Sequence, residues 1–215
     1  MSKKIILLAG PTASGKSKLA IQLAKKLNGE IINADSMQIY KEFKILSSRP
    51  DNKETRKAKH HLYGVISVKK HFSAGNWLKL ANSKINLCFK LKKVPIIVGG
   101  TGLYFNTITK GISKIPSIDT QTRNKVRNLF KKLGYKEFYK KLLILDPKVK
   151  NKILPSDSQR SQRAYEVILK TKKSLFDWTA DTKSDFINFE ISKIYIDIPR
   201  DELLKKIYLR TELMF

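Results

Sequence analysis

Eight consecutive residues near the amino terminus have the composition of a phosphate-binding loop. Gly10-Pro11-Thr12-Ala13-Ser14-Gly15-Lys16-Ser17 fits the pattern G-x-x-x-x-G-K-S/T. In such a loop the backbone N–H groups curl around an anion, and the start of the following helix adds partial positive charge. Lys16 supplies a cation to phosphate oxygens, and the Ser17 hydroxyl is a candidate ligand for Mg²⁺. The loop predicts binding of a diphosphate or triphosphate, without indicating which one or what becomes of it.

Two further segments place polar groups at the ends of predicted strands. Asp35-Ser36 follows one strand, and Gly99-Gly100-Thr101-Gly102 follows another. The carboxyl ends of parallel strands face the ligand crevice of an α/β sheet. A carboxylate there either holds Mg²⁺ through water or acts as a general base, and a turn or helix-cap role for Asp35 is the structural alternative. The Thr101 segment equally suits a ligand site or a tight turn.

Some signals are weaker or negative. Asp197 lies within a predicted strand, and no apolar strand ends in the metal-binding aspartate of nucleotide-hydrolysing proteins, so a motor-type activity is poorly supported. Arg160 and Arg163 share one face of a predicted helix, which suits either phosphate and base contacts or a solvated basic surface. The three histidines lack metal-ligand spacing and are interpreted as structural or surface residues; they are His60, His61 and His71.

Apolar patterning gives the elements that position these groups. Continuous apolar runs predict buried parallel strands, and i, i+3, i+4 spacing predicts helices. The predicted strands cover residues 5–9, 30–34, 94–98 and 193–198, and the predicted helices cover 16–27, 73–93, 119–133, 135–144, 147–153, 157–170 and a segment after Pro199. Residues 40–72 are expected to be irregular. The first strand, helix and second strand form a βαβ unit with a right-handed crossover.

This order predicts an α/β fold with a P-loop NTPase-like parallel sheet core and a helical insertion domain. Residues 1–113 are the first part of the core, 114–191 the helical insertion, and 192–215 the return to the core. The chain stops at Phe215 inside a helical pattern without a cap, which indicates a truncated carboxyl terminus.

Composition restricts the class of partner. Among 215 residues, 44 are Lys or Arg and 18 are Asp or Glu, giving a net charge of +26. Such an excess indicates a polyanionic partner such as nucleic acid, although the 36 lysines also suit the bias of an A+T-rich genome. One cysteine, Cys88, excludes an intramolecular disulfide and a cysteine-based zinc cage. No apolar run is long enough for a membrane span or a secretory signal, so no membrane association and a cytoplasmic location are expected.

Taken in order along the chain, these motifs resemble the tRNA dimethylallyltransferase (IPP transferase) family. The matching segments after the phosphate loop are Asp35-Ser36-Met37-Gln38-Ile39-Tyr40, His60-His61-Leu62, Phe72-Ser73, Val98-Gly99-Gly100-Thr101-Gly102-Leu103-Tyr104, Asp157-Ser158-Gln159-Arg160, Arg163-Ala164-Tyr165-Glu166-Val167, Ile207 and Arg210. Residues 45–50 depart from the family, which has a glycine and small residues there before Lys-Pro, and residues 65–68 replace a stretch that bears an aspartate. Changes of packing, not of chemistry, are expected at both places.

The resemblance implies a reaction and a set of roles. A dimethylallyl group moves from dimethylallyl diphosphate to N6 of the adenine immediately 3′ of the anticodon, in tRNAs that read codons beginning with U. The resemblance makes Asp35 the general base, places Thr101 at the target adenine, and gives Arg210 a contact to the diphosphate. The phosphate loop would then hold the diphosphate together with Mg²⁺ at Ser17. The implied tRNA-contacting residues are Asp35, Ser36, Met37, Gln38, Thr101, Arg123, Gln159, Arg160, Ser161, Gln162 and Arg163.

The implied partners are the tRNA anticodon stem-loop and dimethylallyl diphosphate, bound by a monomer. Three alternatives remain open from the sequence. The chain could prenylate a free adenine nucleotide, act as an ATP-binding P-loop kinase on a small molecule, or bind RNA without catalysis. The helical insertion argues for a large acceptor, and intact Gly15, Lys16, Ser17 and Asp35 argue against a non-catalytic role.

Overall fold

The computed structural model describes residues 3–180, 182–212 and 214, which form two compact units. The first unit comprises the residues up to Thr109 and those from Ser184 onward, and the second comprises Lys110–Lys183. The insertion was predicted to cover 114–191, so the observed unit begins four residues earlier and ends eight residues earlier than predicted. Within the described ranges, no helix is both long enough and apolar enough to cross a membrane.

The first unit is built on a five-stranded parallel sheet of order β3-β2-β4-β1-β5. The strands are β1 (Lys4–Ala9), β2 (Gly29–Asn33), β3 (His60–His61), β4 (Val94–Gly99) and β5 (Glu190–Tyr195). The central strands β1, β2 and β4 are the continuous apolar runs of the sequence, and they are covered by side chains on both faces. The parallel sheet is therefore confirmed, as are three of its strands.

Helices cover both faces of this sheet. On one face α1 (Lys16–Lys26) packs Ala20, Ile21 and Ala24 against β1, β2 and β4. On the other face lie α3 (Ala74–Lys90) and α4 (Gly102–Thr109), where Trp77 is fully buried and stacks on Tyr104 with ring centroids 4.3 Å apart. Helix α3 is capped by Ser73, the first residue of the predicted helix 73–93, because the Ser73 hydroxyl accepts a hydrogen bond from the Asn76 N–H.

The structure differs from the sequence prediction in several short elements. Residues 40–72 contain helix α2 (Asn52–Lys57), which begins at a capping box of Asp51 and Glu54, as well as β3. The last strand lies three residues before the predicted 193–198. It is an edge strand paired with β1, so polar residues are tolerated along it. These polar residues interrupt the apolar run at its beginning, which is why the sequence pattern placed the start too late. Helix α8 (Arg200–Glu212) follows, and none of its described residues is fully buried.

The second unit is helical, as predicted, with its own small core. Helix α5 (Thr120–Leu145) is interrupted at Gly134, whose φ of 69° separates the two predicted helices. A single 3₁₀ turn, Pro147–Val149, replaces the helix predicted for 147–153. Helix α6 (Ser158–Thr171) is confirmed, and α7 (Leu175–Ala180) was not predicted. The buried side chains that join these elements are Tyr139, Leu142, Val149, Ile153 and Ala164.

Candidate functional site

The phosphate loop joins β1 to α1 with its donors uncovered. Ala13 and Gly15 have φ values of 58° and 85°, the left-handed backbone that curls the loop. Gly15 is the N-cap of α1 and provides no side-chain cap, so the first N–H groups of the helix keep no side-chain partner. The buried Ser14 hydroxyl also has no hydrogen-bond partner among the described residues. This arrangement is suited to an anion with several oxygens.

The loop forms one wall of a pocket of about 270 Å³ at the carboxyl ends of the strands. Its lining residues are Thr12, Ala13, Ser14, Gly15, Lys16, Ser17, Asp35, Met37, Gln38, Leu46, Ser47, Ser48, Tyr63, Val98, Gly99 and Arg210. Most of the predicted loop residues, together with Asp35, Met37, Gln38 and Arg210, therefore share one cavity. Gly10 and Pro11 are not among the lining residues.

Lys16 extends across the loop, where its ammonium group donates to the Pro11 carbonyl. Burial lowers the pKa of Lys16, while the nearby Asp35 carboxylate opposes that shift and the Arg210 guanidinium adds to it. Two cations and one anion thus meet within the pocket. This excess of positive charge suits an anionic ligand.

The Asp35 carboxylate is fixed through one of its oxygens. Its Oδ1 accepts from the Met37 N–H at 2.8 Å, whereas Oδ2 accepts no hydrogen bond within the part of the chain that the structure describes. Thr101 supports the same turn, because its hydroxyl oxygen accepts from the Ser36 N–H at 2.9 Å. The Thr101 O–H therefore still has a proton to donate. Asp35 thus keeps a free acceptor oxygen in the pocket, whereas Thr101 and Ser36 support the turn without lining the pocket.

Asn33 holds the base of this turn and was not singled out from the sequence. Its fully buried side chain accepts from the Asp35 N–H at 2.9 Å and donates to the carbonyls of Asp35 and Leu62 at 3.0 and 3.1 Å. A polar residue at the end of an apolar strand was the available signal. Gly99 is also essential, because it lets the end of β4 approach the chain at Ala34 closely: a Cβ at residue 99 would lie 2.1 Å from the Ala34 carbonyl oxygen.

Arg210 reaches the phosphate loop from α8. Its Nη1 donates to the Thr12 hydroxyl and its Nε donates to the Ser48 hydroxyl, each at 2.9 Å. Gln38 holds the same turn from the other side, because its Nε2 donates to the carbonyls of Ser47 and Ser48 at 2.8 and 3.0 Å. Segment 45–50, where the sequence departs from the family pattern, therefore holds the Arg210 side chain in place through Ser48.

The remaining predicted nucleic-acid contacts lie in the second unit, on α5 and the first two turns of α6. Arg160 is exposed and pairs with Asp157 at 3.4 Å, and Arg163 pairs with Glu166 at 3.5 Å. Ser161 is buried, and its hydroxyl has no partner among the described residues; the same holds for Nε of Arg123. Gln159 is exposed, and Gln162 donates to the Ser158 carbonyl at 3.2 Å.

Comparison with known proteins gives one consistent result. The sequence model described as IPP transferase matches residues 38–215. The chain is 55% identical over 211 residues to the tRNA dimethylallyltransferase of Pelagibacter ubique, covering 98% of this chain and 67% of that protein. It is 44% identical over 214 residues to the tRNA dimethylallyltransferase of Rickettsia massiliae, covering 96% and 59%.

Solved structures agree. A eukaryotic dimethylallyltransferase acting on tRNA superposes with a TM-score of 0.86 at 29% identity, covering 99% of this chain and 53% of that one. The tRNA isopentenylpyrophosphate transferase of Bacillus halodurans superposes with a TM-score of 0.62 at 29% identity, covering 99% and 66%. The chain thus spans between about half and two thirds of the length of these four proteins. None of these matches supports the kinase or free-nucleotide alternatives.

Proposed function

The chain belongs to the IPP transferase family, and from this premise we propose that it transfers a dimethylallyl group from dimethylallyl diphosphate to N6 of a tRNA adenine. The proposed target is the adenine on the 3′ side of the anticodon, in tRNAs that read codons beginning with U. The observation that carries the proposal is one pocket in which a phosphate loop faces an aspartate with a free oxygen. That combination serves a diphosphate leaving group and a nucleophile that must lose a proton.

Each group in the pocket has a role in this transfer. As N6 attacks the first carbon of the prenyl group, the C–N bond forms and the C–O bond to diphosphate breaks. Asp35 Oδ2 accepts the proton that N6 loses, and the Thr101 hydroxyl donates to the adenine. Lys16, Arg210 and the loop N–H groups stabilise the negative charge that develops on the departing diphosphate.

The same pocket has the donor chemistry for Mg²⁺. The Ser17 hydroxyl and Asp35 Oδ2 are hard oxygen ligands, and neither is engaged in a hydrogen bond among the described residues. We assign the Mg²⁺ site to Ser17, which leaves Asp35 Oδ2 free to act as the base. Bound there, Mg²⁺ would neutralise charge on the diphosphate oxygens.

The tRNA is proposed to bind around this opening and along the second unit. Met37 is 52% exposed beside Asp35, so it and Gln38 can fill the space left when the adenine leaves its stack. Ser36 supplies a further contact at the turn. The proposed contacts in the second unit are Arg123, Gln159, Arg160, Ser161, Gln162 and Arg163. The enzyme is proposed to act as a monomer, and tRNA as substrate favours a cytoplasmic location.

The decisive assay is performed with the intact product of the gene. It is incubated with dimethylallyl diphosphate, Mg²⁺ and unmodified tRNA, and the digested nucleosides are analysed by mass. Dimethylallyladenosine in the tRNA is the expected product. Parallel reactions offer AMP in place of tRNA, or ATP with small acceptors in place of dimethylallyl diphosphate. Prenylated AMP with unmodified tRNA, or phosphoryl transfer alone, would overturn the proposal.

Asp35 is tested by a matched pair of substitutions. Asp35→Asn should lower turnover roughly 10²–10⁴-fold, the usual contribution of a general base, with little change in tRNA affinity. Asp201→Asn makes the same chemical change at an exposed position on α8 and should leave turnover unchanged. Equal turnover of the two variants would remove Asp35 from the role of base.

A further inference from the structure

Three side chains with metal-ligating atoms converge outside the pocket. Glu30 Oε2 and His61 Nε2 are 2.6 Å apart, and the Cys88 thiol donates to the same carboxylate oxygen at 3.8 Å. All three ligand atoms lie within 4.8 Å of one another. Glu30 is near the amino end of β2 and Asp35 follows its carboxyl end, about 16 Å away along an extended chain. The cluster is therefore separate from the phosphate and acceptor site.

The fold itself brings the cluster together. Strands β2 and β3 pair with Ile32 opposite His61, and side-chain alternation turns Glu30 toward the same face of the sheet as Ile32. Helix α3 covers that face with an apolar stripe that includes Cys88. Two strands and a helix thus each contribute one donor, from positions about thirty residues apart along the sequence. No short motif connects them, so histidine spacing gave no indication of a site.

We propose that Glu30, His61 and Cys88 form a zinc-binding site whose fourth position is completed by water. A thiolate, an imidazole nitrogen and a carboxylate oxygen are the ligands that Zn²⁺ takes in proteins, and the thiolate disfavours Mg²⁺. A single cysteine cannot make a cysteine cage, but a mixed set of donors needs only one. The site is independent of the proposed prenyl transfer.

Charge balance supports zinc at this depth. Thiolate and carboxylate carry two negative charges and a neutral histidine carries none, so the occupied site has no net charge. Burial of charged groups is costly unless their charges are balanced, and the occupied site meets this condition. The side chains of His61 and Glu30 are only 8% and 12% exposed. Cys88 is fully buried.

The distances are close to those of a tetrahedral centre. Zinc bonds of about 2.0–2.3 Å imply ligand separations of roughly 3.3–3.7 Å. The Cys88–Glu30 separation of 3.8 Å is slightly longer than this range, and the His61–Glu30 pair would open by roughly 0.8 Å as the ion replaces their shared proton.

Cobalt substitution tests the site without any variant. The intact protein is freed of metal by a chelator, and Co²⁺ is added while the absorption spectrum is recorded. A thiolate-to-cobalt charge-transfer band together with intense visible d–d bands is expected, as for four-coordinate cobalt with a cysteine ligand. Addition of one equivalent of Zn²⁺ should remove both. Absence of the charge-transfer band in the unmutated protein would overturn the proposal.

Matched variants then locate the ligands. Cys88→Ser and Glu30→Gln should each weaken Zn²⁺ binding more than about 100-fold in competition with a chromophoric chelator, since loss of a direct ligand exceeds the usual effect of an outer-sphere partner. His71→Gln alters an exposed histidine outside the cluster and should bind one equivalent unchanged. Zinc should raise the melting temperature of the unmutated protein and of His71→Gln only. Equal zinc affinity in all four proteins would place the ion elsewhere and refute the assignment.

Discussion

Replacement of Asn33 by alanine tests whether one buried amide holds the turn that carries Asp35. The Asn33 side chain makes three hydrogen bonds to main-chain groups, two to Asp35 and one to Leu62. The substitution leaves one N–H and two carbonyl oxygens without these partners, in a place where water has little access. The expected result is a loss of stability in the first unit.

The magnitude follows from those three contacts. A hydrogen bond contributes a net amount of about 1 kcal/mol, so three of them predict a loss of about 3 kcal/mol in the free energy of unfolding. The fully buried position of Asn33 puts the loss at the upper part of the range for single substitutions. Asn33→Ser retains a hydroxyl and should lose less.

Trp77 provides a local probe for the measurement. Its indole N–H donates to the Asn33 carbonyl at 2.8 Å, and Trp178 is the second of two tryptophans in the chain. In a Trp178→Phe background, fluorescence during urea unfolding therefore reports on the first unit alone. The midpoint should fall while the slope m stays the same, because the exposed surface is unchanged.

Asn33→Asp provides a control of nearly identical shape. Its carboxylate would face the Asp35 and Leu62 carbonyl oxygens, so burial should raise its pKa above the ordinary value near 4. A raised pKa means stability that is present below the unfolded pKa and is lost as the pH rises through the folded one. The free energy of unfolding of Asn33→Asp should thus fall between pH 4 and 7, whereas that of Asn33→Ala should not show this fall. A loss below about 1 kcal/mol in Asn33→Ala, or no pH dependence in Asn33→Asp, would refute the reasoning.

Three further results are expected. Gly99→Ala should abolish pyrophosphate binding measured by calorimetry, because its Cβ would collide with the Ala34 carbonyl; Gly100→Ala, whose Cβ would be 3.6 Å from its nearest neighbour, should retain it. Ser48→Ala should weaken pyrophosphate binding roughly tenfold by freeing the Arg210 Nε, the cost of one hydrogen bond to a charged group, and unchanged affinity would contradict this role. Hydrogen bonds from Lys170 and Thr122 lower the pKa of Asp119, so the stability that Asp119 contributes is present above pH 3.8 and is lost as the pH falls. The difference in melting temperature between the unmutated protein and Asp119→Asn should therefore shrink in acid. A difference that stays constant with pH would contradict this role of Asp119.

The sequence predicted the parts of the site that depend on local motifs. The loop of residues 10–17 and the position of Asp35 after a buried strand follow from short-range patterns. The strand runs of β1, β2 and β4 were equally visible, because strands buried on both faces contain almost no polar residues. Arg210 came from the family resemblance, since nothing in the composition of α8 distinguishes it.

The remaining features depend on contacts between distant residues. Asn33 is a short polar residue whose role depends on the chain passing Leu62 beside it. The support of Arg210 by Ser48 joins residues 162 positions apart, and the start of β5 depends on register with β1. Pattern reasoning on one sequence contains no information on such pairings. The same limit hid the convergence of Glu30 and His61.

Helix α8 combines two properties that are usually separate. It carries Arg210, yet none of its described residues is fully buried, and Arg210 itself is bound to Thr12 and Ser48 of the pocket wall. The guanidinium that ties this helix to the pocket wall is therefore also the proposed contact to the diphosphate. A bound diphosphate that contacts Arg210 would therefore also stabilise the docking of α8 against the pocket wall. Occupancy of the pocket and docking of the helix are in this sense a single equilibrium.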